Sequence, residues 1–233
     1  NGGVLVVTGD DHQGKSSTIA HHSLQALAAN SIPVLYPADV SEFVPYALLG
    51  WALSRYSGCW VGFKVVNETV EQAITCEADL GALTIETPEP RALPPEGIHY
   101  RGTYTPAQDE VILRRWKLPL VQRFARANRI DRQTLGDAQA KLGIVTAGKT
   151  WHEVRLALRA LGIGEARAGA AGGDEARARA LGVAVYKVGL LWPLEPEGLA
   201  EFAAGKQELF FVEDKSAFVE SQAAAILYNQ PER

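Results

Sequence analysis

Methionine is missing altogether from this chain, and cysteine occurs only twice, as Cys59 and Cys76. The two are far apart and in no metal-like spacing. This argues against a zinc or iron–sulfur site built from this stretch and suits a reducing compartment, the cytoplasm. The lack of methionine, together with a first strand beginning at residue 4, predicts a piece of something longer. The excess of one sign of charge is also small, with 23 Lys and Arg against 27 Asp and Glu. A net charge of −4 and a pI near 5.8 give no bulk attraction to nucleic acid or an anionic membrane surface. The longest apolar run, residues 44–53, is roughly half of the ~20 residues needed to span a bilayer, and no signal peptide is read at the start.

What the chain does have is an apolar share of 47% over 233 residues, enough for one large or two modest domains. Residues 4–7 are a β-branched run of the kind buried in a parallel sheet. A turn opens at Gly9, and a helix is expected over residues 17–29, with Ser16 or Ser17 as its cap. Residues 32–36 read as a second strand, 40–56 as a helix with one apolar face, and 60–66 as a third strand. Strand and helix alternate through residue 80, which predicts a parallel α/β sheet. Prolines crowd residues 81–105, which read as a linker or wrapping arm. Residues 109–128 resume as a helix, and its Arg114, Arg115, Lys117, Arg123 and Arg126 are expected to be solvated or packed on acidic neighbours. A second alternation follows: strands over 142–146, 183–188 and 208–213, helices over 151–161, 175–181, 197–204 and 216–228, and a Gly/Ala-rich loop over 162–173. The expected architecture is therefore α/β, with two mostly parallel open sheets flanked by helices.

The segment Gly9-Asp10-Asp11-His12-Gln13-Gly14-Lys15-Ser16 satisfies the pattern G-x-x-x-x-G-K-[ST]. In a phosphate-binding loop, successive backbone N–H groups and a helix N-terminus face the anion. Lys15 would then reach the terminal phosphates and Ser16 a magnesium ion, and residues 209–214 offer an acidic strand end of the required kind. Against this, Asp10 and Asp11 would set two carboxylates beside a triphosphate. A P-loop nucleotide-binding protein is one reading of the chain.

Separated stretches carry another. They are Gly9-Asp10-Asp11-His12 with Lys15-Ser16-Ser17-Thr18, then Ile32-Pro33-Val34-Leu35, residues 50–58, 60–64, 142–149 and 186–196, and Val212-Glu213-Asp214-Lys215. In this order and over nearly the whole chain, they resemble the indolepyruvate ferredoxin oxidoreductases in their long fused bacterial form, within the 2-oxoacid:ferredoxin oxidoreductase family. The resemblance implies the latter part of a thiamine pyrimidine-binding domain over residues 1–80, a proline-rich linker and helix over 81–140, and a transketolase C-terminal-like domain over 141–233. It implies thiamine diphosphate with Mg, iron–sulfur clusters and coenzyme A in the parent enzyme. The implied reaction is oxidative decarboxylation of an arylpyruvate to an aryl-acetyl-CoA with reduction of ferredoxin. The implied partners are the remaining domains of that enzyme, ferredoxin, a small 2-oxo acid and, for a site formed between domains, a second copy of the chain. The family's activating glutamate lies upstream of the segment matching Asn1. Its glycine-aspartate-glycine diphosphate motif and its cysteine clusters are not in this sequence, so this stretch alone is not expected to turn over substrate.

No residue here is assigned as catalytic. Asp10, Asp11 and His12 follow a buried strand at its carboxyl end, where α/β sheets place ligands, and are expected to line the pocket or to cap the next helix. Lys15, Ser16, Ser17, Arg55 and Lys64 complete the set of pocket-lining candidates. Lys15 is expected to neutralise Asp10 or Asp11, and Arg55 and Lys64 to form structural salt bridges. His21 and His22, adjacent on an expected helix, fall on different faces and are not expected to share a metal.

Overall fold

The structure, a computed structural model, describes residues 2–75, 81, 83–90, 93–99, 102–103, 105–163 and 173–228. The chain divides into two compact units, one of Asn1–Arg129 with Leu190–Glu195, the other of Ile130–Gly189 with Pro196–Arg233.

The first unit is built on β3 (Val61–Val66), whose six residues are all buried. A strand covered on both faces needs the continuous β-branched run seen here. The strand β1 (Leu5–Asp10) pairs parallel to it, from Leu5 opposite Val61 to Asp10 opposite Val66. On its other side lies β2 (Val34–Leu35), also parallel. A later strand, β7 (Leu190–Trp192), closes the sheet antiparallel to β2, giving the order β1-β3-β2-β7. The helix α2 (Phe43–Ser57) follows a tight turn opened by Asp39, whose carboxylate accepts the Ser41 N–H at 2.8 Å. It lies close to the sheet at Gly50, where an added Cβ would come within 2.7 Å of Leu5 Cδ2 and 3.1 Å of Leu35 Cδ1. The short helix α1 (Leu24–Ala29) buries Leu24 and Leu27, and a single-turn helix, α3 (Asn67–Val70), follows β3.

The helix read over residues 109–128 is two helices joined by a wider turn. They are α4 (Pro106–Ile112), held by reciprocal bonds between Thr105 and Gln108, and α5 (Leu118–Ala127). Between them, residues Leu113–Lys117 form a π turn just ahead of Pro119, which has no N–H to keep the regular ladder. The basic side chains behave as expected of a satisfied face. Arg114 pairs with Glu110 at 2.8 Å, Arg126 approaches Glu195 at 3.8 Å, and Lys117 donates to the Gly58 carbonyl at 3.2 Å. α5 buries Leu120, Val121, Phe124 and Ala125, and Phe124 lies 5.7 Å from the Tyr56 ring. That apolar seam makes α5 part of the first unit.

The second unit has the sheet order β4-β6-β5-β8. Strands β5 (Leu142–Ala147), β6 (Val183–Val188) and β8 (Glu208–Val212) run parallel, and β4 (Arg132–Leu135) is an antiparallel edge. Helices α6 (Thr150–Ala160), α7 (Gly173–Leu181), α8 (Pro196–Ala203) and α9 (Val219–Leu227) complete it. One cluster of its core gathers Ile144, Val154, Leu158, Ile163, Ala178, Val183 and Val185. The α/β architecture with two mostly parallel sheets is as the sequence predicts. β4 and β7 are additions to it, too short and, in β4, too polar to announce themselves. The loop read over 162–173 lies almost wholly outside the described residues, as do parts of the proline-rich segment.

Candidate functional site

The first helix after β1 is shorter than the sequence predicts. Residues 17–23 are not helical, and α1 begins at Leu24. The cause is local competition. Ser and Thr are weak helix formers that bond readily to side chains nearby, and here two carboxylates take the amides first. Asp11 accepts the backbone N–H groups of Lys15 at 2.9 Å, Ser16 at 2.6 Å and Ser17 at 2.8 Å, and the Ser16 hydroxyl at 3.2 Å. The bonds from the Ser16 amide, opposed in part by burial and joined by those from Lys15 and Ser17, hold the Asp11 carboxyl well below the usual carboxylate range.

This arrangement corrects two expectations. There is no helix N-terminus at Ser16–Ser17 to receive a phosphate, and the three amides of that turn are already bonded to the chain's own carboxylate. The G-x-x-x-x-G-K-[ST] letters therefore fold into a carboxylate-centred turn and not a phosphate cradle. Nor does the Lys15 ammonium neutralise Asp10 or Asp11. Its side chain is exposed and reaches Glu68 at 3.6 Å.

Asp10 stands at the carboxyl end of β1. Thr8 pairs with Lys64 across the parallel ladder, so Thr8, Asp10 and Lys64 share a face by the two-residue alternation of strands. Lys64 is 1% exposed, and its ammonium bonds the Asp10 carboxylate. The same ammonium lies 2.9 Å from Nε2 of buried His12 and 5.2 Å from the centre of the Tyr36 ring. Ser23 gives Asp10 its N–H at 2.9 Å and its hydroxyl at 3.1 Å. His21 Nδ1 is 3.0 Å from the same carboxylate, and the His22 ring meets His12 edge to face at 4.8 Å. Burial by itself raises the Asp10 pKa. The Lys64 ammonium and the two Ser23 donors outweigh it and hold the carboxyl well below its ordinary range.

Of the sequence-predicted residues, Asp10, His12 and Lys64 come together, Asp11 with Lys15, Ser16 and Ser17 forms the adjoining turn, and Arg55 stands apart. The Arg55 Nε donates to the Gly2 carbonyl at 2.9 Å, beyond the opposite end of β1 from Asp10. The salt bridge expected of Lys64 is present, and the described contacts of Arg55 include none. Ser23, His21, His22 and Tyr36 are the members the sequence reading missed. His21 and His22 were separated by assuming a helix. Without it, both reach the neighbourhood of Asp10.

Asp10, His12 and His22 each offer a ligand atom within 4.8 Å of the others. The Lys64 ammonium, bonded to two of the three, stands where a metal would have to enter. Of the three, only Asp10 offers the oxygen that Mg²⁺ prefers, and the other two offer imidazole nitrogen. It does not fit the magnesium of a bound diphosphate.

A pair of four-stranded, mainly parallel sheets flanked by helices, with a charged cluster at a strand's carboxyl end, makes this an α/β protein. Two solved structures share the fold. One is 2-oxoglutarate:ferredoxin oxidoreductase from Magnetococcus marinus with 2-oxoglutarate, coenzyme A and succinyl-CoA bound, with a TM-score of 0.59, 17% identity, and coverage of 97% of this chain and 44% of that one. The other is a split-gene transketolase, an inactive beta4 tetramer, with a TM-score of 0.50, 14% identity, and coverage of 98% and 54%. Residues 132–233 match the family model described as the indolepyruvate oxidoreductase domain. The indolepyruvate oxidoreductase subunit IorA of Methanothermobacter marburgensis is 23% identical over 230 residues, covering 96% of this chain and 33% of that protein. The chain thus spans about a third of the length of that curated relative. The comparisons agree with the resemblance read from the sequence: residues 132–233 match the indolepyruvate oxidoreductase domain model, and the chain as a whole is similar to a stretch of an indolepyruvate oxidoreductase subunit.

Proposed function

We propose that this chain forms part of a thiamine-diphosphate-dependent oxidoreductase that decarboxylates an arylpyruvate and passes the electrons to ferredoxin. Residues 1–80 belong to its pyrimidine-binding domain and 141–233 to its transketolase C-terminal-like domain, with 81–140 between them. The 2-oxo acid loses its carboxylate as carbon dioxide. The remaining acyl carbon gives up two electrons to ferredoxin through iron–sulfur clusters held elsewhere, and the acyl group passes to the thiol of coenzyme A. Thiamine supplies the carbanion chemistry when bound. Among the described residues, the Asp10–His12–His22 group does not hold its magnesium. The chain's own contribution is a pocket wall at the carboxyl end of β1. The working site is cytoplasmic and formed between domains, in a homo-oligomer.

The observation that carries this reading is the sealed Asp10–Lys64–His12 cluster at the carboxyl end of a parallel strand, the position where such sheets bind ligands. Burying an ammonium, a carboxylate and an imidazole is costly, and such groups collect where chemistry uses them. His12 in this position donates a hydrogen bond to the ketone oxygen of the 2-oxo acid. The test is His12→Gln in the full-length protein. Arylpyruvate-dependent ferredoxin reduction should fall at least about tenfold, since one donor to developing charge is worth on the order of 10²–10³ in rate. The melting temperature should hardly move. Wild-type turnover in that variant would make the cluster a purely structural one.

A further inference from the structure

The position of one proton in the cluster is set by geometry. Lys64 is bonded to the Asp10 carboxylate, which stays ionised because its neighbours hold it so. An ammonium beside an ionised carboxylate keeps its proton and has only donors to offer. The Lys64 Nζ lies 2.9 Å from His12 Nε2, so the contact requires a lone pair on Nε2. The Asp10 oxygen is 3.8 Å from the same nitrogen, too far to accept a hydrogen bond from it.

We infer that Lys64 is a positioning residue that fixes His12 as the neutral tautomer protonated on Nδ1, so that the ring presents an N–H donor, and not a lone pair, at Nδ1. Asp10 serves as the anchor that places the ammonium, and the parallel register of Thr8 with Lys64 brings β3 to the right level. The role of that donor in turnover rests on the pocket reading above; the tautomer does not. The described contacts do not otherwise explain why a lysine, and not an apolar side chain, fills the centre of a strand buried along its whole length.

The full-length protein labelled with ¹⁵N-histidine, studied by magic-angle-spinning NMR, reports the protonation of each ring nitrogen. The His12 signals are identified by their loss in His12→Gln. The expected result is an unprotonated Nε2 and a protonated Nδ1 in the unaltered protein. A protonated Nε2 overturns the inference without any variant. In Lys64→Met the Nε2–H form should appear, and kcat should fall at least tenfold while KM stays within threefold. Lys64→Arg, which keeps the charge, should retain the Nδ1–H form and recover part of kcat even if Lys64→Met folds poorly. An unchanged His12 spectrum in folded Lys64→Met sinks the positioning role. Full turnover by His12→Gln with the expected tautomer sinks the pocket reading instead, and with it the catalytic use of the donor.

Discussion

Lys64 and Asp10 sit on adjacent parallel strands, two residues out of register, and bond to one another out of reach of water. The pairing explains how a β-branched strand tolerates a lysine at its centre. It also makes the end of β1 sensitive to any change in charge.

Removing either partner alone leaves the other ionised in a dry setting, which costs about 3–5 kcal/mol. Asp10→Asn and Lys64→Met should each lower the unfolding free energy by that order. The double variant should recover a substantial part of the loss, because contacting charges are not additive. Chemical denaturation of the four proteins measures the coupling, and simple additivity would show that the pair is not formed.

Acid should weaken the first unit through Asp10 and Asp11. Both carboxyls have folded-state pKa values below the ordinary value of about 4. The unfolded chain therefore takes up protons first as the pH falls. Their stabilisation is complete above pH 4 and is lost as the pH drops toward the folded values. Denaturation midpoints measured between pH 6 and pH 3 should fall on the acid side and flatten above it. Asp10→Asn should show a shallower slope.

Nucleotide should not bind. The amides that would cradle a phosphate are bonded to Asp11, and no helix begins behind them. Calorimetry with magnesium-ATP should give no heat of binding. A low-micromolar dissociation constant that disappears in Lys15→Ala would restore the nucleotide reading.

The turn after β4 depends on Gly136. Its φ of +75° is one that L side chains rarely adopt, and an added Cβ would fall 2.2 Å from the Val183 carbonyl oxygen. Gly136→Ala combines that strain with a clash against the β6 backbone, so it should cost at least about 1–3 kcal/mol. Urea denaturation checks this, and a loss within 0.5 kcal/mol would show that the edge strand is dispensable.

Capping by Glu213 gives a second handle on the same unit. Its carboxylate accepts the N–H groups of Phe218, Val219 and Glu220 at 2.7–3.1 Å, at the start of α9. Glu213→Ala should cost about 1 kcal/mol, the usual worth of a cap, with far-ultraviolet circular dichroism reporting any loss of helix. No change in stability would mean that water replaces the side chain at no cost.

Much of this protein follows from its sequence alone. The β-branched runs at residues 61–66 and 183–188, bounded by helical patterns, are enough to predict parallel α/β sheets, because a strand covered on both faces has to be apolar along its length. The ordered likeness over many stretches outweighed one eight-letter pattern and pointed to the family whose model residues 132–233 match. Tertiary structure decided the rest. Whether Asp11 caps a helix, faces a phosphate or closes its own turn depends on which amides its carboxylate reaches, and the letters are the same in all three cases. His21 and His22 were parted by an assumed helical period that the chain does not adopt there. β7 joins a sheet whose other strands lie more than 120 residues earlier, and three residues carry too little pattern to reveal such a pairing. Lys64 reads as one charge in an apolar run until the register of β1 on β3 brings Asp10 to it. The sequence holds both residues, but only the fold makes them a pair.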